Sequence, residues 1–174
     1  MIKSDLKDNV IEVHRYNDRM MSIKVVIGQK IWNVFSIYAP QVGRPEQEKI
    51  EFWESFEDEI GRIPESEVLM IGGDVNGHVG RDNVGFEEVI CRYGYGSKNN
   101  EGEMVLGICK NHNLRILNTY FEKEEEKIIT HKSGNIGTQI DLLLLRKARG
   151  VNCTDCHAIA GEECLTVHRP VRAK

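Results

Sequence analysis

The stretch Leu69-Met70-Ile71-Gly72-Gly73-Asp74-Val75-Asn76-Gly77-His78 sets an acceptor, an amide and an imidazole directly after a short apolar run. Taken as a strand, the run would be buried, and alternation past the two glycines would turn Asp74, Asn76 and His78 to one face at its carboxyl end. A carboxylate that orients water, an amide that donates to an oxyanion and an imidazole that moves a proton or holds a metal are the parts of a hydrolytic site. The same residues also describe a strand ending in an Asx turn, because Gly, Asp and Asn are turn formers.

Three further positions carry chemistry. Asp141 stands directly before Leu142-Leu143-Leu144-Leu145. A carboxylate in such a run is expected to be nearly buried and to need a partner, either a histidine, a metal or the backbone amides of a turn. His168, after a predicted loop, is the candidate histidine. Tyr38 ends an alternating strand just before Ala39-Pro40, the relation to its strand that Asp74 has to its own. It either faces the site or packs against the loop. Cys153-Thr154-Asp155-Cys156-His157 has the C-x-x-C-H pattern of haem attachment, and with Cys164 it offers four zinc ligands. Haem is set aside because the charged N-terminus lacks the apolar core of an export signal, and zinc is disfavoured because no second C-x-x-C exists. Reduced cysteines packed near a turn are the expected state.

The elements that must position these groups follow from periodicity. Strands are predicted over 10–15, 21–28 and 31–38, the last two joined as a hairpin through Gly28-Gln29-Lys30. Between Pro45 and Ile63, Ile50, Trp53, Phe56 and Ile60 recur at helical spacing, and a strand over 67–73 follows, which predicts a strand–helix–strand crossover. Residues 80–96 are irregular and rich in glycine. A short helix is predicted over 104–110, where close packing on a sheet would explain Gly107, and then a strand over 114–119. The charge run Glu122–Lys127 reads as a loop or hairpin tip. Residues 128–134 and 138–146 read as the two strands of a second hairpin.

With 174 residues, 29% of them charged, and a formal net charge of −4, the chain fits a single domain over 1–174 with an ordinary globular composition. Such a balance does not advertise nucleic-acid binding, which then needs a local patch or a divalent metal. Five scattered cysteines do not form a disulfide framework. No stretch reaches the roughly 20 apolar residues of a membrane span, so an intracellular protein, nuclear or cytoplasmic and not secreted, is expected.

Tyr38-Ala39-Pro40, Gly72-Gly73-Asp74-Val75-Asn76, Gln139-Ile140-Asp141 and Leu165-Thr166-Val167-His168-Arg169 occur in the order found in the endonuclease/exonuclease/phosphatase superfamily. The chain most resembles endonuclease domains of RTE-type non-LTR retrotransposons and craniofacial development protein 2-like proteins, over nearly its whole length. Gly73-Asp74-Val75-Asn76-Gly77-His78-Val79-Gly80, Thr138-Gln139-Ile140-Asp141 and Cys153-Thr154-Asp155-Cys156 carry that closer likeness.

The resemblance implies an α/β fold, a four-layer sandwich of two mixed sheets packed face to face and flanked by helices. The domain is expected to be N-terminally truncated, lacking its first strands and also its last. It further implies a metal-dependent DNA endonuclease of retrotransposon origin, a monomer using Mg²⁺ or Mn²⁺. Carried over by position, Asp74 orients or deprotonates water, Asn76 and Tyr38 contact the phosphate, His168 stabilises developing charge, and Asp141 orients His168. Gln41, Asn118 and Thr130 are expected to bind substrate, whereas His78 lies beyond the core motif. The metal ligands stay unassigned: the family's Asn and Glu ligands are expected upstream of Met1, and its Asp before the terminal His is Val167 here. Weak or absent cleavage is therefore expected, the alternative being a non-catalytic nucleic-acid-binding or protein-interaction module that keeps the fold.

Overall fold

A computed structural model of the chain describes residues 4–148, 150–159 and 167–174. Its first half follows the periodicities closely. Strands β1 (Val10–Asn17), β2 (Met20–Ile27) and β3 (Lys30–Tyr38) form an antiparallel meander. Helix α1 (Glu46–Gly61) then carries the chain over to β4 (Val68–Asp74), which pairs with β3 in parallel. Helix α2 (Asn100–Asn111) starts earlier than the apolar pattern indicates, because the Asn99 side chain caps it by accepting from Gly102 N.

The second half departs more from expectation. Strand β5 (Leu114–Ile116) is short, since residues 117–119 turn into a 3₁₀ helix in which the Thr119 hydroxyl donates to Ile116 O. Part of the charge run is helical, as α3 (Glu125–Ile128). The second hairpin is limited to β6 (His131–Ser133) and β7 (Ile136–Thr138). Residues 139 and 140 break the predicted second strand, and β8 (Asp141–Arg146) belongs to a different sheet. The break has a physical cause: Ile140 O accepts from Val75 N at 2.9 Å, which draws the chain off the hairpin and onto β4. Finally, β9 (Cys156–Ala158) and β10 (Val171–Ala173) pair antiparallel.

The main sheet is mixed, with strand order β1-β2-β3-β4-β8-β5. One face presents Phe35, Ile37, Leu69, Ile71, Leu142 and Leu144 to Trp53, Phe56 and Ile60 of α1 and to Val105, Leu106 and Cys109 of α2. The opposite face presents Trp32, Val68, Met70, Leu143 and Leu145 to Cys156, Val171 and Ala173 of the β9–β10 pair. Helices, main sheet and smaller sheet thus form successive layers, and the leucine run of β8 supplies both cores by strict alternation. At the end of β8 the Arg146 guanidinium donates to Ile60 O and Ile63 O, both at 2.9 Å, closing the carboxyl end of α1.

Two glycines in α2 have different meanings. A Cβ at Gly102 would overlap the His78 carbonyl oxygen and lie 2.9 Å from Val79 N, so this turn of helix rests directly on the loop that follows β4. Gly107, expected to pack closely on the sheet, instead meets nothing within 4 Å. Gly107→Ala is therefore expected to stabilise the chain by about 1 kcal/mol through helix propensity alone, read as a higher denaturant midpoint with unchanged slope.

Candidate active site

The ends of three adjacent strands meet at one edge of the main sheet. In the parallel β3–β4 pair Tyr38 lies beside Asp74, and in the antiparallel β4–β8 pair Asp74 lies directly opposite Asp141. Like charges directly across a strand pair repel, so two facing carboxylates at neutral pH need compensation. His168 stands beside one of them: its Nδ1 lies 3.1 Å from Asp141 Oδ1 and 3.0 Å from Oδ2.

The backbone fixes this pair from several directions. The 167–169 segment lies against β6, with an antiparallel bridge between His131 and His168, Lys132 N donating to Val167 O at 3.0 Å and Arg169 N to Thr130 O at 2.7 Å. The Thr130 hydroxyl accepts from both Ile140 N and Asp141 N at 3.0 Å. Asn118 brackets Asp141 from the other side: its Nδ2 donates to Asp141 O at 3.0 Å, and its Oδ1 accepts from Leu143 N at 2.8 Å. Thr130 and Asn118 are 0% and 6% exposed. Expected to bind substrate, they instead lie beneath the site and hold the backbone that carries Asp141.

Around Asp74 the strand and the turn coexist. The strand ends at Asp74, Asp74 Oδ1 accepts from Asn76 N at 2.8 Å, and Asn76 takes the left-handed φ of 49°. Alternation therefore stops before Asn76 and His78. The Asn76 side chain donates to Ala39 O at 2.8 Å, tying the end of β3 to the end of β4. His78 joins Asn99 through its backbone, with His78 N donating to Asn99 Oδ1 at 2.9 Å. Burial pushes the Asp74 carboxyl up to about 6, the Asn76 amide opposes the rise, the negative charge of Asp141 adds to it, and His168 opposes it slightly.

Tyr38, 43% exposed, stands at the rim with its Oη 3.3 Å from Gln41 Nε2. Sequence reading missed Arg19, whose guanidinium lies 5.2 Å from the centroid of the Tyr38 ring and also pairs with Glu48 at 3.1 Å. It sits in the β1–β2 turn, and only the pairing of β2 with β3 brings it near, so no local pattern points to it. A groove of about 550 Å³ lined by Arg15, Arg19, Met21, Ser36 and Tyr38 runs from this rim. His131 was read as a strand residue without a role, yet its ring lies against that of His168.

Asp74, Asp141 and His168 each offer one ligand atom, all within 4.8 Å of one another. Hard divalent ions such as Mg²⁺ are held through one or two carboxylates and complete their shell with water and phosphate oxygens. The donor set fits such an ion through the carboxylates of Asp74 and Asp141, which face each other across the β4–β8 pair. Val167, 45% exposed, adds no oxygen. The C-x-x-C-H segment is arranged differently. Cys156 is buried in the smaller core, its thiol pushed up to about 12 by burial, while His157, next on β9, points to the other face and pairs with Asp155 at 3.1 Å. These two side chains diverge, and Cys164 lies outside the described residues, as do Leu165 and Thr166 of the terminal motif. No described helix is long and apolar enough to cross a membrane.

No protein-family model matches the chain. Craniofacial development protein 2 of Bos taurus is 26% identical over 176 residues, a match covering 100% of this chain and 29% of that protein. The chain thus spans about three tenths of the length of the curated relatives it matches. Two solved structures share the fold. D. rerio TDP2 complexed with single-strand DNA product has a TM-score of 0.64 at 13% identity, over 94% of this chain and 66% of that one. The endonuclease domain of TRAS1, a telomere-specific non-LTR retrotransposon, has a TM-score of 0.62 at 12% identity, over 95% and 66%. The resemblance drawn from four short motifs and these matches agree on an α/β fold of the endonuclease/exonuclease/phosphatase kind.

Proposed function

We propose that this domain, with its nuclease-like fold, is a divalent-metal-dependent phosphodiester hydrolase that acts on DNA at Asp74, Asp141 and His168. The observation that carries the reading is the Asp141–His168 pair set directly across from Asp74 at the ends of β8 and β4.

Asp74, with Oδ1 held by Asn76 N, turns its second oxygen to an attacking water and accepts its proton once ionised. Asp141 holds the Nδ1 side of His168, and the Nε2 side donates to a phosphate oxygen as negative charge develops there. Tyr38 and Gln41 at the rim bind the same phosphate group. Asn76 keeps the β3 and β4 ends together through Ala39 and so positions both. Asp74 and Asp141 would hold a divalent ion, which would supply electrostatic stabilisation of the phosphate. Arg15 and Arg19 in the adjoining groove offer contacts to the DNA backbone, their charge offset in part by Asp18 and by the Arg19–Glu48 pair.

Cleavage is expected to be slow, since Val167 supplies no oxygen ligand. The test is nicking of supercoiled plasmid in Mg²⁺. Slow nicking is expected, stopped by chelation and lowered about 10²-fold in His168→Ala. Nicking that survives chelation or the loss of His168 would refute the reading. Salt-dependent DNA binding with no nicking at any pH would replace it with a non-catalytic nucleic-acid-binding module.

A further inference from the structure

The two oxygens of Asp141 lie at almost equal distances from His168 Nδ1, 3.1 and 3.0 Å. A hydrogen bond shared so evenly fixes which nitrogen faces the carboxylate while distinguishing little between its two oxygens. What packs against the face of the ring also bears on its tilt, and that tilt decides where the opposite nitrogen meets a phosphate oxygen.

We propose that His131 is a positioning residue for the hydrolysis proposed above, its ring acting as a wall that sets the tilt of the His168 imidazole against Asp141. The inference rests on the reaction assigned to His168, while the contact itself stands independently of it.

The two ring centroids are 4.7 Å apart with the planes inclined at 58°, close enough to exclude water between them and too oblique for a sliding stack. The backbones of the two residues form a β-bridge, flanked by the Lys132–Val167 and Arg169–Thr130 hydrogen bonds, so neither ring can withdraw by a shift of its own chain. His131 is fixed in turn: its Nδ1 lies 3.2 Å from Thr138 Oγ1, in the register pair directly across β6 and β7. One short segment at the start of β6 therefore serves both members of the Asp141–His168 pair. Thr130 holds the backbone of Asp141 through its hydroxyl, and the next residue, His131, holds the ring of His168. Successive residues reach two partners because 130 and 131 face opposite sides of the chain. Burial and the neighbouring His168 also hold the His131 imidazole towards its neutral form.

The experiment compares the full chain with His131→Ala and His131→Phe. It uses plasmid nicking at several DNA concentrations and NMR of isotope-labelled histidine to follow the His168 ring. With His131→Ala, turnover is expected to fall about tenfold at an unchanged half-saturating DNA concentration, and the His168 ring signals should broaden and lose their ring-current displacement. With His131→Phe, which keeps a flat wall, turnover should return to within about threefold of the parent chain. Unchanged His168 signals in His131→Ala would overturn the proposal, as would a His131→Phe chain no faster than His131→Ala, which would place the need on imidazole chemistry instead. Thermal melts of both variants exclude loss of fold as the cause. Should no variant nick DNA, the reaction assigned above fails, while the His168 ring signals still decide whether His131 sets the ring.

Discussion

Asp74→Asn is expected to abolish DNA nicking and, at the same time, to make the folded chain more stable at neutral pH. The carboxyl of Asp74 has a pKa of about 6 in the folded chain against an ordinary 3.8, so folding favours its protonated form. Below pH 3.8 the group is protonated in both states and costs nothing. As pH rises through 3.8 towards 6 the unfolded chain ionises first, and stability is lost until the folded carboxyl has ionised too. At roughly 1.4 kcal/mol for each pH unit, the full difference approaches 3 kcal/mol. Asp74 is only partly buried, and solvent screening reduces this to about 1–2 kcal/mol.

Asparagine keeps an oxygen for Asn76 N and removes the charge. The gain should therefore appear in a denaturant midpoint at pH 8 and vanish at pH 3.5. Nicking should fall about 10³-fold, because an amide cannot accept the proton of water. A variant less stable than the parent at pH 8, or equally displaced at both pH values, would show that the carboxylate is well compensated where it stands. The stability gain separates a group placed for chemistry from one placed for structure: a charge kept where it costs stability has its explanation in what it does.

Gly73→Ala is expected to be among the most damaging single substitutions in the chain. Gly73 has a φ of 155°, and an added Cβ would overlap the carbonyl oxygen of Ile37 and lie 2.8 Å from its carbonyl carbon. Ile37 is the direct partner of Gly73 across the parallel β3–β4 ladder, in the interior of the sheet, so the neighbour cannot give way without opening that ladder. Overpacking and backbone strain each cost about 1–3 kcal/mol. A loss of at least about 3 kcal/mol is thus expected, visible as a lowered unfolding midpoint. It should be accompanied by loss of the Tyr38–Asp74 juxtaposition. A variant as stable as the parent would mean that the strand ends part readily here.

Much of this was open to reading from the residues because the interactions involved are local. The β2–β3 hairpin announces itself by alternation on either side of a glycine turn, and α1 by the return of Trp53, Phe56 and Ile60 to one face. Asp141 could be assigned a partner because an acid beside four leucines is too costly to leave alone, and His168 fills that place. The Asp74 stretch admitted a strand and an Asx turn, and the two coexist: the strand ends at Asp74, whose Oδ1 accepts from Asn76 N, and the shared face expected for Asn76 and His78 is lost there.

What escaped reading depends on pairing between distant segments. Nothing in Thr138–Arg146 marks the point where the chain leaves one sheet for another; that is set by Val75 and Thr130, far away in sequence. Asn118 and Thr130 look like polar residues at strand ends, and only their backbone partners reveal that they face inward. His131 and Arg19 gain their importance from neighbours that the fold brings to them.

The place of β8 in the sheet has a consequence for how the chain is made. Strands β1 to β4 follow one another in sequence and in space, so a growing chain can assemble them as they emerge. Among the described residues β5 pairs with β8 alone, and β8 also closes the free side of β4. Until β8 emerges, the nascent sheet ends in an open β4 edge carrying Leu69, Ile71 and Asp74, and β5 has nowhere to dock. The last described segment to arrive brings His168. The insertion of β8 thus completes the sheet and sets Asp141 opposite Asp74, while the site is finished only when His168 follows, and a ribosome-bound chain halted before β8 would have a template for aggregation in place of an active centre.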